Sequence, residues 1–280
     1  MHSSALSIRT NAGGLRTQTS MRRAGHNLQE SVGRLSSGLR VRRAQDDSAK
    51  LAMSQTMSAQ RRGFQQAQRN VSYGISMLQN AEGHYQSISD TLIRMRELSV
   101  EAASDALSDT ERSFLDQEFQ ELSNTIRDIS NSAEHNGIKL LSQDPGQLDV
   151  ATFQVGTRNS ANDTITWDIE AQDPDQLGLV GAAVDTRDDA RTAIDDIDNA
   201  MNLLMTDRSE LGSVLNQLRV SMDHLSRTIE DYGTSVGVIR DADVSAESAT
   251  FTKQKVLQEA SVAMLSQANA APQIALRLLG

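Results

Sequence analysis

Phe64, Val71, Leu78, Tyr85 and Leu92 follow one another at intervals of seven, and Ala67, Gly74, Ala81, Ile88, Met95 and Ala102 repeat that interval three residues later. Two apolar positions per seven residues draw one stripe along a helix and require a partner along its whole length. The ladder returns in the second half. Ile197, Leu204, Leu211, Leu218, Leu225, Tyr232 and Ile239 step by seven, with Ile194, Met201, Leu215, Met222, Ile229 and Val236 beside them, broken only at Arg208. Two such helices separated by a reversal pack antiparallel, and a shorter helix on Leu115, Leu122, Ile129 and Phe119, Ile126, Ala133 joins them. The expected fold is mainly α: long antiparallel heptad helices forming a rod-like bundle. Small residues in the second ladder of the first helix predict close approach of a neighbouring helix there.

The interruptions set the boundaries. The first proline is Pro145. Before it, "SSGLRVRRAQDD" (36–47) reads as an irregular connector with Gly38 as a helix stop, and "SDALSDTER" (104–112) as a break with Ser108 or Asp109 as N-cap. Near 150–170 the period becomes two: Phe153 and Val155 alternate before "TRNSAND", and Ile165, Trp167 and Ile169 after it. That pattern predicts one small β-hairpin. "DPDQLGLVG" (173–181) is then expected to return the chain to helix.

Both ends read as helical arms. Leu28, Val32, Leu35 and Leu39 lie on one stripe of the first, and Leu257, Met264, Ala271 and Leu278, with Ala260 and Ile274, on one stripe of the second. Burying an apolar side chain contributes ~1.5–3 kcal/mol, whereas ordering a residue costs ~1–2 kcal/mol of backbone entropy. Two thin helices do not close that gap alone, so Leu28, Val32, Leu35, Leu39, Leu257, Met264, Ile274 and Leu278 are expected to pack against other chains. The predicted division is residues 1–45 with 240–280 as paired terminal arms, and 46–239 as the rod with its hairpin.

Charge and composition exclude much else. Eight arginines against Glu30 make residues 1–43 net +7 and leave −17 for the rest of a chain whose total is −10. Those arginines alternate with leucines and valine and lack aromatic partners, so they read as a solvated helix face and not as a nucleic-acid surface. No run approaches the length of a membrane span, and the start lacks an apolar signal-peptide core. There is no cysteine. His2, His26, His84, His135 and His224 are scattered, the acidic run 185–198 lacks the ligand spacing of a calcium loop, and "NAGG" is not followed by the Lys and hydroxyl of a phosphate loop. No cofactor, metal or catalytic constellation is expected, and the chain does not read as an enzyme.

"GRLSSGLRVRRAQDDSAKLAM" (33–53), "QRRGFQQAQRN" (60–70), "LIRMRELSVEAAS" (92–104), "HNGIKLL" (135–141), "IRDADV" (239–244) and "LSQANAAPQIALRLL" (265–279) occur in that order. In these stretches the chain closely resembles bacterial flagellin over roughly 1–145 and 185–280. The resemblance implies a structural subunit of the extracellular flagellar filament. It implies terminal arms that build an inner tube and fold as the subunit polymerises, and export without a cleaved signal peptide. With only about 40 residues between the halves, no large variable outer domain is implied. Implied partners are the chain itself, sibling flagellins, hook–filament junction and cap proteins, and an export chaperone on the C-terminal arm. A vertebrate Toll-like receptor is implied at Arg94, Leu98 and Glu118, with Ile93 in place of a usual glutamine. A related hook-to-filament junction protein is the rival reading. Lys50, where such proteins usually carry glycine, and "RVRRA" depart from the pattern in the connector.

Overall fold

The computed structural model describes residues 11–142 and 149–279, the last nine as backbone only. In chain order the elements are helices α1 (Ala12–Ser37), α2 (Ser48–Ala102) and α3 (Asp109–Ser132), strands β1 (Glu134–His135), β2 (Ile138–Lys139), β3 (Val150–Gln154) and β4 (Thr164–Asp168), and helices α4 (Arg187–Arg240) and α5 (Val244–Leu279). The chain divides into two compact units, Met1–Ala59 with Tyr232–Gly280, and Gln60–Asp231.

The Gln60–Asp231 unit is built on the heptad ladders. Val71, Leu78, Tyr85, Leu92, Ile88 and Met95 are buried with Ile197, Leu204, Leu211, Leu218 and Leu225 in one core. Polar contacts along the edges fix the direction. Gln68 donates to Ser226 at 2.9 Å, Arg208 to Glu82 at 2.6 Å, and Arg96 to Asp198 at 2.7 Å, so α2 and α4 run antiparallel. Helix α3 also runs antiparallel to α2, since Asn80 donates to the Glu134 carbonyl and Arg94 to Glu118. Phe119 and Ile126 turn its own stripe into the shared core.

Local chemistry stops and starts these helices. Ser108 caps α3: its hydroxyl accepts from the Glu111 amide, and the Glu111 carboxylate accepts the Ser108 amide at 2.7 Å. The Ser108 amide and then its hydroxyl hold the Glu111 carboxyl below its usual range. The preceding end is closed by Arg112, a buried side chain the ladders gave no reason to suspect. Its Nε donates to the Ala102 carbonyl at 2.9 Å and its Nη2 to the Ser104 carbonyl at 2.8 Å, supplying donors where α2 runs out of its own.

The hairpin is as expected, with Ala151 opposite Trp167 and Phe153 opposite Ile165. Its apolar face lies on α2, and here one expectation is corrected. A Cβ on Gly74 would stand 2.8 Å from the Phe153 ring, and one on Gly63 would stand 2.8 Å from Thr157. The small residue at Gly74 therefore admits the hairpin, not a neighbouring helix. A second, two-residue hairpin pairs β1 with β2 through Asn136 (φ 53) and Gly137 (φ 82), the two positive φ values of a type I′ turn. "DPDQLGLVG" also departs from expectation. Gly178 and Gly181 sit at φ 75 and 76, which breaks any helix, and α4 begins only at Arg187 behind Thr186, whose hydroxyl accepts from the Asp189 amide.

At the buried edge of this core, Gln172 donates to Asp207 at 2.6 Å. Burial raises the Asp207 carboxyl above its usual range, with the Gln172 hydrogen bond opposing that shift. A carboxyl whose pKa is higher folded than unfolded holds its proton longer in the native state. Its contribution is therefore most favourable below the unfolded pKa and is lost as pH rises through the folded pKa. Asp207→Asn should remove this term. Thermal melts from pH 4 to pH 7 should show the variant gaining on the parent as pH rises, and a pH-independent difference would contradict the assignment.

Candidate assembly interface

The Met1–Ala59 with Tyr232–Gly280 unit is a pair of helices with very little inside it. In α1 only Gly14, Ala24 and Ser31 are buried. Asn11 caps α1 by accepting the Gly14 amide at 2.8 Å, and its Nδ2 donates to the Ala268 carbonyl at 2.9 Å. Further along, Gly25 lies against Gln258, and Arg34 pairs with Glu247 at 3.7 Å. These contacts set α1 antiparallel to α5.

The pair meets the connector at Gly38. This residue ends α1 in the left-handed conformation (φ 68), and its carbonyl accepts the Ala242 amide at 2.9 Å. Leu39 bridges to Asp241, and the Arg40 amide donates to the Arg240 carbonyl at 2.7 Å. Gly33 leaves room for the Arg42 guanidinium, since a Cβ there would overlap it. Asp46 accepts the amides of Arg43 at 2.9 Å and Arg42 at 3.0 Å, and these bonds hold its carboxyl low. Lys50, one of the departures from the usual flagellin pattern, pairs with Asp47 at 3.4 Å. The Nε atoms of Arg34, Arg42 and Arg240 and Oε1 of Glu247 are buried here without hydrogen-bond partners.

The seam between the arms separates the expected contact residues into two groups. Helix α5 is half-buried at Glu247, Phe251, Gln254, Gln258, Ser261, Leu265 and Ala268, a three-four spacing that is largely polar or small. Its apolar stripe points elsewhere: Leu257 is 45% exposed and Met264 63% exposed, and Val256 and Ala260 beside them are exposed too. Ile274 and Leu278 continue that register along the backbone, but their side chains lie outside the described residues. On α1, Leu28 and Leu35 are half-buried and recur with Met21, Ala24 and Ser31 on one face, while Val32 is exposed. Leu39 is half-buried at its bridge to Asp241. The chain thus covers Leu28, Leu35 and Leu39 in part itself and leaves Val32, Leu257 and Met264 uncovered.

The three residues near the α2–α3 edge also divide. Arg94 donates to Glu118 through Nε at 3.1 Å and Nη2 at 2.8 Å, and this pairing, then Glu97, raises the Arg94 pKa. Leu98 is buried in the chain's own core. Among the described residues no cluster of His, Asp or Glu is arranged to hold a metal ion, and no helix is long and apolar enough to cross a membrane.

Residues 8–144 match the bacterial flagellin N-terminal helical region, and residues 194–279 match its C-terminal helical region. The chain belongs to the flagellin family. Flagellins are structural proteins and not enzymes. This one is 38% identical over 253 residues to the flagellin of Halalkalibacterium halodurans, covering 90% of this chain and 91% of that protein. It is 32% identical over 284 residues to a flagellar filament core protein of Brachyspira hyodysenteriae, covering 97% and 99%. The crystal structure of Bacillus cereus flagellin superposes with a TM-score of 0.51 at 27% identity, over 56% of this chain and 88% of that one.

Proposed function

We propose that this flagellin-family chain is the subunit of an extracellular flagellar filament that serves swimming motility, and that residues 1–45 and 240–280 order only as copies polymerise. The observation that carries the reading is the mismatch on α5: its seam with α1 is largely polar or small, with Phe251 and Leu265 its large apolar residues, while Leu257 and Met264 are left in water. An apolar stripe that its own chain does not cover needs another surface. In an open helical assembly that surface is the next copy, and its own stripe is covered in turn. Ile274 and Leu278 extend the same contact, Val32 adds to it from α1, and Leu28, Leu35 and Leu39 hold the two arms in register.

The remaining partners follow from that surface. Before polymerisation an export chaperone shields Leu257 and Met264, and the chain leaves the cell without loss of a signal peptide. Sibling flagellins share the lattice, and junction and cap proteins contact its two ends. Recognition by a vertebrate Toll-like receptor takes the edge that carries Arg94, Leu98 and Glu118, weakened by Ile93 in place of the usual glutamine; Arg94 and Glu118 are paired there and Leu98 lies in the chain's own core.

Electron microscopy of the purified chain tests the reading. Concentrated subunit in ammonium sulfate, which strengthens apolar burial, should give long filaments of uniform diameter. Amorphous precipitate or closed oligomers would count against it.

A further inference from the structure

The β1–β2 hairpin turns on Asn136 and Gly137, the one Asn-Gly pair in the chain. Both residues are exposed, at φ 53 and φ 82. Gly137 faces open space, with no atom within 4 Å of where a Cβ would stand. Among the described residues, neither the Asn136 carboxamide nor the Gly137 amide makes a hydrogen bond. The ladder engages the flanking residues instead, pairing His135 with Ile138 and Glu134 with Lys139. Those two pairs alone make up the ladder, and behind them Leu140 and Leu141 are buried. The tip therefore opens without disturbing the core.

We infer that Asn136 is a site of spontaneous deamidation, with water as the co-reactant, whose isoaspartate product breaks the β1–β2 turn. The Gly137 amide nitrogen gives its proton to hydroxide and bonds to Cγ of Asn136. The Cγ–Nδ2 bond breaks and the side-chain nitrogen leaves as ammonia, closing a cyclic imide. Water then opens the ring. Attack at Cγ restores the original backbone with an aspartate side chain. Attack at the former main-chain carbonyl leaves the chain running through Cβ and Cγ, an isoaspartate linkage. Water enters, ammonia leaves, and nothing is oxidised or reduced. Glycine favours this step because it brings no Cβ against the closing ring. Other asparagines lack that combination. Asn27, Asn70 and Asn202 lie inside helices, where the next amide is bonded along the helix. Asn159 is exposed between β3 and β4, but Ser160 follows it. The two products differ in structure. Aspartate tolerates the left-handed φ of Asn136 and suits a type I′ turn. Isoaspartate adds a methylene to the main chain, so the turn no longer closes and Ile138 loses its place against the core. The whole site lies in the Gln60–Asp231 unit, so the inference does not depend on polymerisation.

Mass spectrometry of the full chain, incubated dilute in mildly alkaline buffer and then digested, tests the site. Fragment ions should place the amide-to-acid mass gain at Asn136 about tenfold sooner than at Asn159. The rate should rise with pH, because the Gly137 amide proton must leave. Asn136→Gly, which keeps a Gly-Gly type I′ turn, should show no gain there and melt with the parent. The isoaspartate form, separated by chromatography, should melt below the parent, whereas Asn136→Asp should melt with it. An Asn136 that keeps its amide in the folded chain while the same chain converts in urea overturns the proposal, because the turn would then be locked. Equal rates at Asn136 and Asn159 overturn it too. So does an isoaspartate form that melts like the parent, which would mean that the turn survives the longer backbone.

Discussion

A chain carrying Leu257→Asp and Met264→Asp is expected to form no filaments at concentrations where the parent polymerises fully. Each substitution removes ~1.5–3 kcal/mol of apolar burial from the contact and places a carboxylate where it has no partner. The loss repeats at every subunit, so even a moderate change per contact moves the critical concentration beyond reach. The same positions are exposed in the single chain, so the monomer should be unaffected. Far-UV circular dichroism and the emission of Trp167, the one tryptophan, should match the parent. Filaments of normal length from the double variant would show that α5 meets its neighbours by another face.

The largest loss of monomer stability should come from Trp167→Ala. Trp167 is 2% exposed and sits on β4 opposite Ala151, a large residue filling the space a small one leaves. Truncating a buried tryptophan costs about 3–5 kcal/mol, because the burial is lost and the cavity does not fully collapse. Urea denaturation followed by circular dichroism should show a large fall in midpoint with little change in slope. A fall worth less than about 1 kcal/mol would mean that the hairpin contributes little to this core.

The heptad ladders were legible because burial along a helix follows a simple period: the stripes of α2 and α3 and the Ile197–Leu225 part of the α4 stripe lie in or against the core, whereas Ile194, Ile229, Tyr232, Val236 and Ile239 are only half-buried and stand outside it. A period says which side of a helix is covered but not by what. Gly74 fits the ladder whether a helix or Phe153 lies above it, and only the structure separates the two. Arg112 escaped for a different reason: its role is to close the end of another helix, which leaves no periodic trace. "DPDQLGLVG" was expected to return the chain to helix, yet Gly178 and Gly181 adopt positive φ and turn the chain instead. In "HNGIKLL" the Asn-Gly pair is itself a hairpin signal, and it was legible in principle. On α5 the apolar stripe reads as a surface in need of cover, and its Leu257 and Met264 are exposed in the single chain. Pairing of the two arms was expected, but the face of α5 that meets α1 was not, because Glu247, Gln254, Gln258 and Ser261, which share it with Phe251 and Leu265, are indistinguishable in sequence from a solvated face.

That seam leads to the central claim, that the arms owe their order to neighbouring copies. A helix pair with three buried residues in α1 and a polar join offsets little of the ~1–2 kcal/mol per residue that its ordering costs. Amide hydrogen exchange on dilute monomer and on assembled filaments measures this directly. The account predicts near-unprotected exchange across 12–37 and 244–270 in the monomer, strong protection of the same amides in the filament, and protected α2 and α4 amides between 60 and 231 in both. Arms as protected in dilute solution as in the filament would contradict it.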